Sequence, residues 1–139
     1  MEASQSVPDL VAAAREAAKD AKPEELAAVA VDVFSAFEAR MQHHFKRGPF
    51  SRKLRAVLLK EGQADLAGRL HQYYLAVNVL KHGKGASLRE LLDTQSALIV
   101  VKPFDETTPE AALVDVTAPS FFEGLMATIL DAYAFLENK

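Results

Sequence analysis

The chain has 139 residues, of which 50% are apolar, 25% charged and none cysteine. That length suits one domain around one core, and the apolar share excludes a disordered chain, which could not offset its own ordering entropy. The lack of cysteine excludes disulfides, thiolate metal sites and thiol nucleophiles, and a net charge of −3 argues against a general nucleic-acid coat protein.

The N-terminal residues Met1-Glu2-Ala3-Ser4-Gln5 are acidic and polar, without the basic and apolar regions of a secretory signal. The longest uncharged apolar runs, Leu26 to Val31 and Ala97 to Val101, fall far short of the ~20 residues that span a bilayer. The expectation is a soluble, cytoplasmic protein with no membrane partner. The sequence contains no internal repeat or low-complexity linker, so residues 1–139 read as a single domain. Charge is uneven along the chain: residues 1–50 carry a net −2, residues 51–100 a net +4 and residues 101–139 a net −5. A basic middle and an acidic tail fit either an anion site or complementary faces of one fold, and the second is commoner.

A first helix is predicted from Pro8, a good first-turn residue, through the alanine-rich stretch to Lys22. Pro23 opens a second, with Glu24 and Glu25 at the positive end of its dipole. Its apolar stripe is Leu26, Val29, Val33, Phe37, Met41 and Phe45, and Gly48-Pro49 stops it. The third helix, Ser51 to Glu61, turns Leu54, Val57 and Leu58 inward and ends at Gly62. The fourth runs from Gln63 to His82 and ends at Gly83. Ser87-Leu88-Arg89-Glu90 matches a capping box and predicts a short helix. Ala97 to Val101 is β-branched and Ala112 to Thr117 alternates, so these segments are expected to pair as an antiparallel β-hairpin lying against the helices. Pro119 starts a last helix with the stripe Phe122, Leu125, Met126, Ile129, Tyr133 and Leu136. The expected fold is an all-α helical bundle of about five helices with a small hairpin inserted before the C-terminal helix.

The fourth helix is apolar on nearly every side, which marks it as central and buried. Its polar residues are therefore informative. At ~100° per residue, with His71 set to zero, Asn78 falls at about 340° and His82 at about 20°, one narrow strip. Such groups need hydrogen-bond partners, since each buried unpaired one costs ~1–3 kcal/mol. They could bridge neighbouring helices, which is the favoured reading for His71, or they could do chemistry. His82 stands at the C-terminal end, where the dipole stabilises an imidazolium, and an imidazole with an amide one turn away can act as general acid or base. In Lys81-His82-Gly83-Lys84-Gly85, Lys81 and Lys84 could hold a phosphate, although the glycines alone read as a helix cap.

Three other constellations carry less. His43 and His44 are adjacent, hence ~100° apart on a helix, which prevents both from ligating one metal in the usual way. With no His-x-x-x-His or Glu-x-x-His spacing either, neither a metal site nor a cofactor is expected. No glycine-rich nucleotide cradle or Gly-x-Ser-x-Gly elbow is present. Lys46, Arg47, Arg52, Lys53 and Arg55 form the densest basic patch, with Phe45 and Phe50 interleaved. RNA contact would use such a patch, but its shortness favours a solvated helix face over core aromatics.

Asn78-Val79-Leu80-Lys81-His82-Gly83, at the end of a core helix in a small bundle, resembles the HEPN superfamily, many of whose members cleave or process RNA. The family hallmark is an Arg, then four to six residues, then a His, often written Arg-Asn-x-x-x-His. Asn78 and His82 match its Asn and His, while Val77 stands in the Arg position and Arg69 lies too far upstream to replace it. The resemblance implies a metal-independent endoribonuclease of toxin or defence type, with the motif of two copies meeting across a homodimer, or a diverged relative that binds RNA. His82 and Asn78 would then be catalytic, Lys81 and Lys84 would contact phosphate, and His71 would be a secondary candidate. The alternative is a non-catalytic interaction module, a homodimer that binds a protein partner such as an antitoxin.

Overall fold

The computed structural model describes residues 6–45, 48–94, 98–109 and 112–138, and of residues 119 and 120 the backbone alone. Lys46, Arg47 and Ala97 of the expected basic patch and strand lie outside the described residues. The described residues form six α-helices: α1 (Val7–Ala18), α2 (Pro23–Met41), α3 (Phe50–Lys60), α4 (Ala64–His82), α5 (Ala86–Thr94) and α6 (Pro119–Glu137). The all-α architecture agrees with the sequence, and among the described residues no helix is long and apolar enough to cross a membrane.

Local chemistry sets the helix ends. Ser6 caps α1 in a box with Asp9: Asp9 N–H donates to Ser6 Oγ at 3.2 Å, and Ser6 N–H to an Asp9 carboxylate oxygen at 3.4 Å. Glu25 at the start of α2 accepts the Lys22 N–H at 2.8 Å in the same sense. Gly62 takes φ +78° after α3, and the Gln63 N–H closes back onto Leu58 O at 2.8 Å, the six-to-one bond of a glycine C-cap. Helix α2 stops at Met41 rather than running on to Phe45, because Gln42–His44 tighten into a 3₁₀ turn and Phe45 is extended.

Helix α4 is the axle. Nine of its nineteen residues are buried, including Leu66, Leu70, Tyr73, Val77 and Leu80, and it packs against α2, α3, α5 and α6. Helix α1 completes the bundle against α2 and α6. A single core results, with Phe37 edge-on to Phe50 at 5.5 Å and Tyr73 tilted against Phe121 at 6.0 Å.

Two expectations are corrected. The hairpin is reduced to one isolated antiparallel bridge, Val101 with Val114, made by Lys102 N–H to Leu113 O at 2.8 Å and Asp115 N–H to Val100 O at 2.7 Å. Among the described residues no strand forms. The ladder stops because the Thr117 N–H, next in register, donates to Asp115 Oδ1 at 3.0 Å, and because Asp105 and Thr108 close a turn of their own. The segment still packs on the helices through Ile99, Leu113, Val114 and Val116, all buried. The second correction concerns α5. Ser87 is not its cap, for the helix already starts at Ala86 and the Arg89 N–H bonds Gly85 O at 3.0 Å. Both side chains of the expected capping box turn toward α4 instead.

Packing at the α4–α6 crossing is tight at Gly124. A Cβ built there would collide with the buried Tyr73 hydroxyl. Gly→Ala inside a helix ordinarily gains ~0.5–1 kcal/mol, but overpacking costs ~1–3 kcal/mol, so the collision wins. Gly124→Ala is expected to lower unfolding stability in urea by ~1–2 kcal/mol. In a Tyr73→Phe background, which deletes the colliding oxygen, the loss caused by Gly124→Ala should shrink, and a double-mutant cycle measures the difference.

Candidate functional site

The polar strip of α4 faces α5 along most of its length. His71 Nε2 lies 2.6 Å from Glu90 Oε2, and one end of the Asn78 carboxamide donates to Ser87 Oγ at 3.4 Å. These are the two residues of the misassigned capping box, now bridging the antiparallel helices. Val77, in the family's Arg position, is sealed in the core. His82 is exposed at the end of α4, beyond the seam.

The lysines diverge. Lys84 donates to Asp105 O at 2.6 Å, and its ammonium lies 5.8 Å from the Phe104 ring centre, so it fastens the 98–118 segment to the α4–α5 turn. Lys81 lines a shallow groove with Glu24 and Asp32 of α2. Neither is gathered with the other around His82. Arg69 is also committed, donating to Thr128 Oγ1 at 3.1 Å and pairing with Asp131 at 3.2 Å on α6.

Cations and rings do meet elsewhere, in a cleft of about 290 Å³ between α3 and α4, lined by Pro49, Ser51, Arg52, Arg55, His71 and Tyr74. His71 and Tyr74, one turn apart on α4, lie nearly parallel, with ring centres 6.1 Å apart and 21° between planes. Arg52 and Arg55 occupy successive turns of α3 and are exposed. Among the described residues neither has a carboxylate within ion-pair distance, whereas Arg15, Arg69 and His71 each do. Two guanidiniums beside a flat aromatic wall can hold a phosphate and stack a base. Glu38 stands behind the cleft and accepts the Ser51 hydroxyl at 2.9 Å.

The sequence singled out Arg52, Arg55 and His71 but not their meeting. Tyr74 was missed altogether, although its position three residues after His71 on the polar side of α4 was the available signal. Phe45 and Phe50, read as interleaved with the patch, instead pack on each other at 5.7 Å, Phe50 buried and Phe45 half-buried. The larger cleft, about 710 Å³ between the start of α4 and the end of α6, carries Glu61, Asp65 and Asp131 against the already paired Arg69, the wrong sign for a phosphate. No protein-family model matches the chain, and no curated protein or solved structure is significantly similar to it.

Burial pushes the Glu38 carboxyl above its ordinary pKa, against the opposing pull of the Ser51 hydrogen bond and the Lys81 charge. The folded state therefore holds this proton more tightly than the unfolded chain does. Stability is expected to fall as pH rises from 4.5, the ordinary value, through the raised one. Glu38→Gln keeps an oxygen that can accept the Ser51 bond and removes the titration. Its melting temperature should exceed that of the wild type at pH 7, with the gap closing below pH ~4.

Proposed function

We propose that this chain is a HEPN-like helical domain that binds single-stranded RNA, and that it binds without cleaving. One observation carries the reading: the α3–α4 cleft joins two guanidiniums, without a carboxylate partner among the described residues, to a stacked His71–Tyr74 wall. Phosphates would lie along Arg52 and Arg55, while a base stacks on the ring of Tyr74 or His71. Every side chain in the cleft comes from one copy, so binding of this kind needs no homodimer.

The argument against cleavage is also local. An active motif of the resembled family joins a guanidinium to the imidazole, and here the matching position is Val77, buried in the core. Asn78 bonds Ser87, and Lys84 bonds the Asp105 carbonyl, leaving His82 without an assembled phosphate clamp. A lysine would in any case offer a point charge rather than a bidentate fork.

Binding of a fluorescent single-stranded RNA, measured by anisotropy across a salt series, tests the proposal. Arg52→Ala with Arg55→Ala should weaken binding at least ~10-fold and reduce the log–log salt slope by ~1–2. Tyr74→Ala should weaken it with the slope unchanged, since stacking releases no counterion. His82→Ala should leave affinity intact, and RNA incubated with wild type in chelator should stay whole. Equal affinity in the double arginine variant would sink the cleft; RNA cut by wild type but not by His82→Ala would make the chain an enzyme.

A further inference from the structure

A second cluster lies where α2 ends, apart from the cleft. Gln42–His44 form the 3₁₀ turn after α2, and the chain leaves it extended at Phe45. The ~100° between adjacent helical residues does not keep the two imidazoles apart there, because at a helix end the side chains are not wedged between turns. The rings of His43 and His44 stand 4.2 Å apart, tilted by 34°. Glu137, the last residue of α6, reaches the same place, with its Oε2 at 3.3 Å from His44 Nε2. One ring nitrogen of each histidine and one carboxylate oxygen all lie within 4.8 Å of one another.

We propose that His43, His44 and Glu137 bind a divalent transition ion, Zn²⁺ foremost, that clasps the end of α2 to the end of α6. In a tetrahedral site with bonds of ~2.0–2.1 Å, neighbouring donors stand ~3.3 Å apart. His44 and Glu137 already have that separation, and only the exposed His43 ring must turn inward. His43 Nδ1 lies 2.9 Å from Arg40 O. A carbonyl only accepts, so Nδ1 carries the proton and Nε2 keeps its lone pair for a metal. That backbone bond sets the tautomer in which His43 presents Nε2 to a metal. Two imidazoles with one carboxylate suit zinc, copper, nickel or iron, while Mg²⁺ and Ca²⁺ need a shell of oxygens. Three protein donors leave a further position for water. None of this rests on the RNA reading.

Zinc chloride titrated into the full chain in a calorimeter, with melting followed in parallel, provides the test. One Zn²⁺ per chain should bind, the melting temperature should rise with zinc concentration, and Mg²⁺ should do neither. His43→Ala and Glu137→Gln should each weaken binding at least ~10-fold, while His71→Ala, on a different face, should bind as wild type does. Wild type alone gives a readout free of folding effects: Co²⁺ should broaden the NMR signals of His43, His44 and Glu137 first. Unchanged affinity in His43→Ala, or broadening centred on other residues, would overturn the site.

Discussion

Burial of α4 organises the other helices around it. Nine of its residues are removed from water, and a large apolar side chain fully buried contributes ~1.5–3 kcal/mol. No hydrogen bond or ion pair on its surface approaches that sum, since a net hydrogen bond contributes ~0.5–1.5 kcal/mol and an exposed ion pair ~0–1 kcal/mol. Covering such a helix requires neighbours on several sides, which is why α2, α3, α5 and α6 all pack on it. Along the middle of the helix a strip of half-buried residues, His71, Tyr74 and Asn78, stays partly uncovered.

The strip serves two neighbours at once. On its α5 side it is a seam, with the bonds from His71 to Glu90 and from Asn78 to Ser87 fixing how the short α5 lies against the axle. On its α3 side the same His71, with Tyr74, faces Arg52 and Arg55. His71 therefore belongs both to the scaffold and to the cleft. Glu90 holds one nitrogen, which orients the ring and leaves its flat face against Tyr74 as part of the wall. A ring held this way presents a stacking surface at little entropic cost, the physical meaning of preorganisation.

The helices and their order were legible because proline, glycine and capping residues punctuate strong periodic stripes, and the centrality of α4 followed from its apolar circumference. The hairpin was not legible. Ala112 to Thr117 has the alternation of a strand, but Asp115 captures the Thr117 N–H, a competition between side chain and ladder that pattern reading does not weigh. The Ser87–Glu90 box failed for a related reason, as both side chains found partners on α4, a tertiary choice invisible within four residues. At the candidate site the sequence supplied the cations and His71 but not their convergence, because α3 and α4 meet face to face only once the turn at Gly62 is built. Separation along the helix was likewise a poor guide at His43 and His44, where the chain leaves α2 and ring positions are set by rotamers.

The charge asymmetry of the sequence resolves into the same geometry. The acids of α6 find partners within the fold: Glu123 pairs with Arg15 of α1, Asp131 with Arg69 of α4, and Glu137 lies against His44 after α2. One acidic helix is thus fastened to three different elements, the complementary faces that an uneven charge distribution most often means. That pairing also sorts the cations. Arg15 and Arg69 are paired with it, whereas Arg52 and Arg55 stand on α3 with no carboxylate in ion-pair distance among the described residues. Arg52 and Arg55 thus keep their charge beside the cleft with the aromatic wall, while Glu61, Asp65 and Asp131 gather in the cleft at the start of α4.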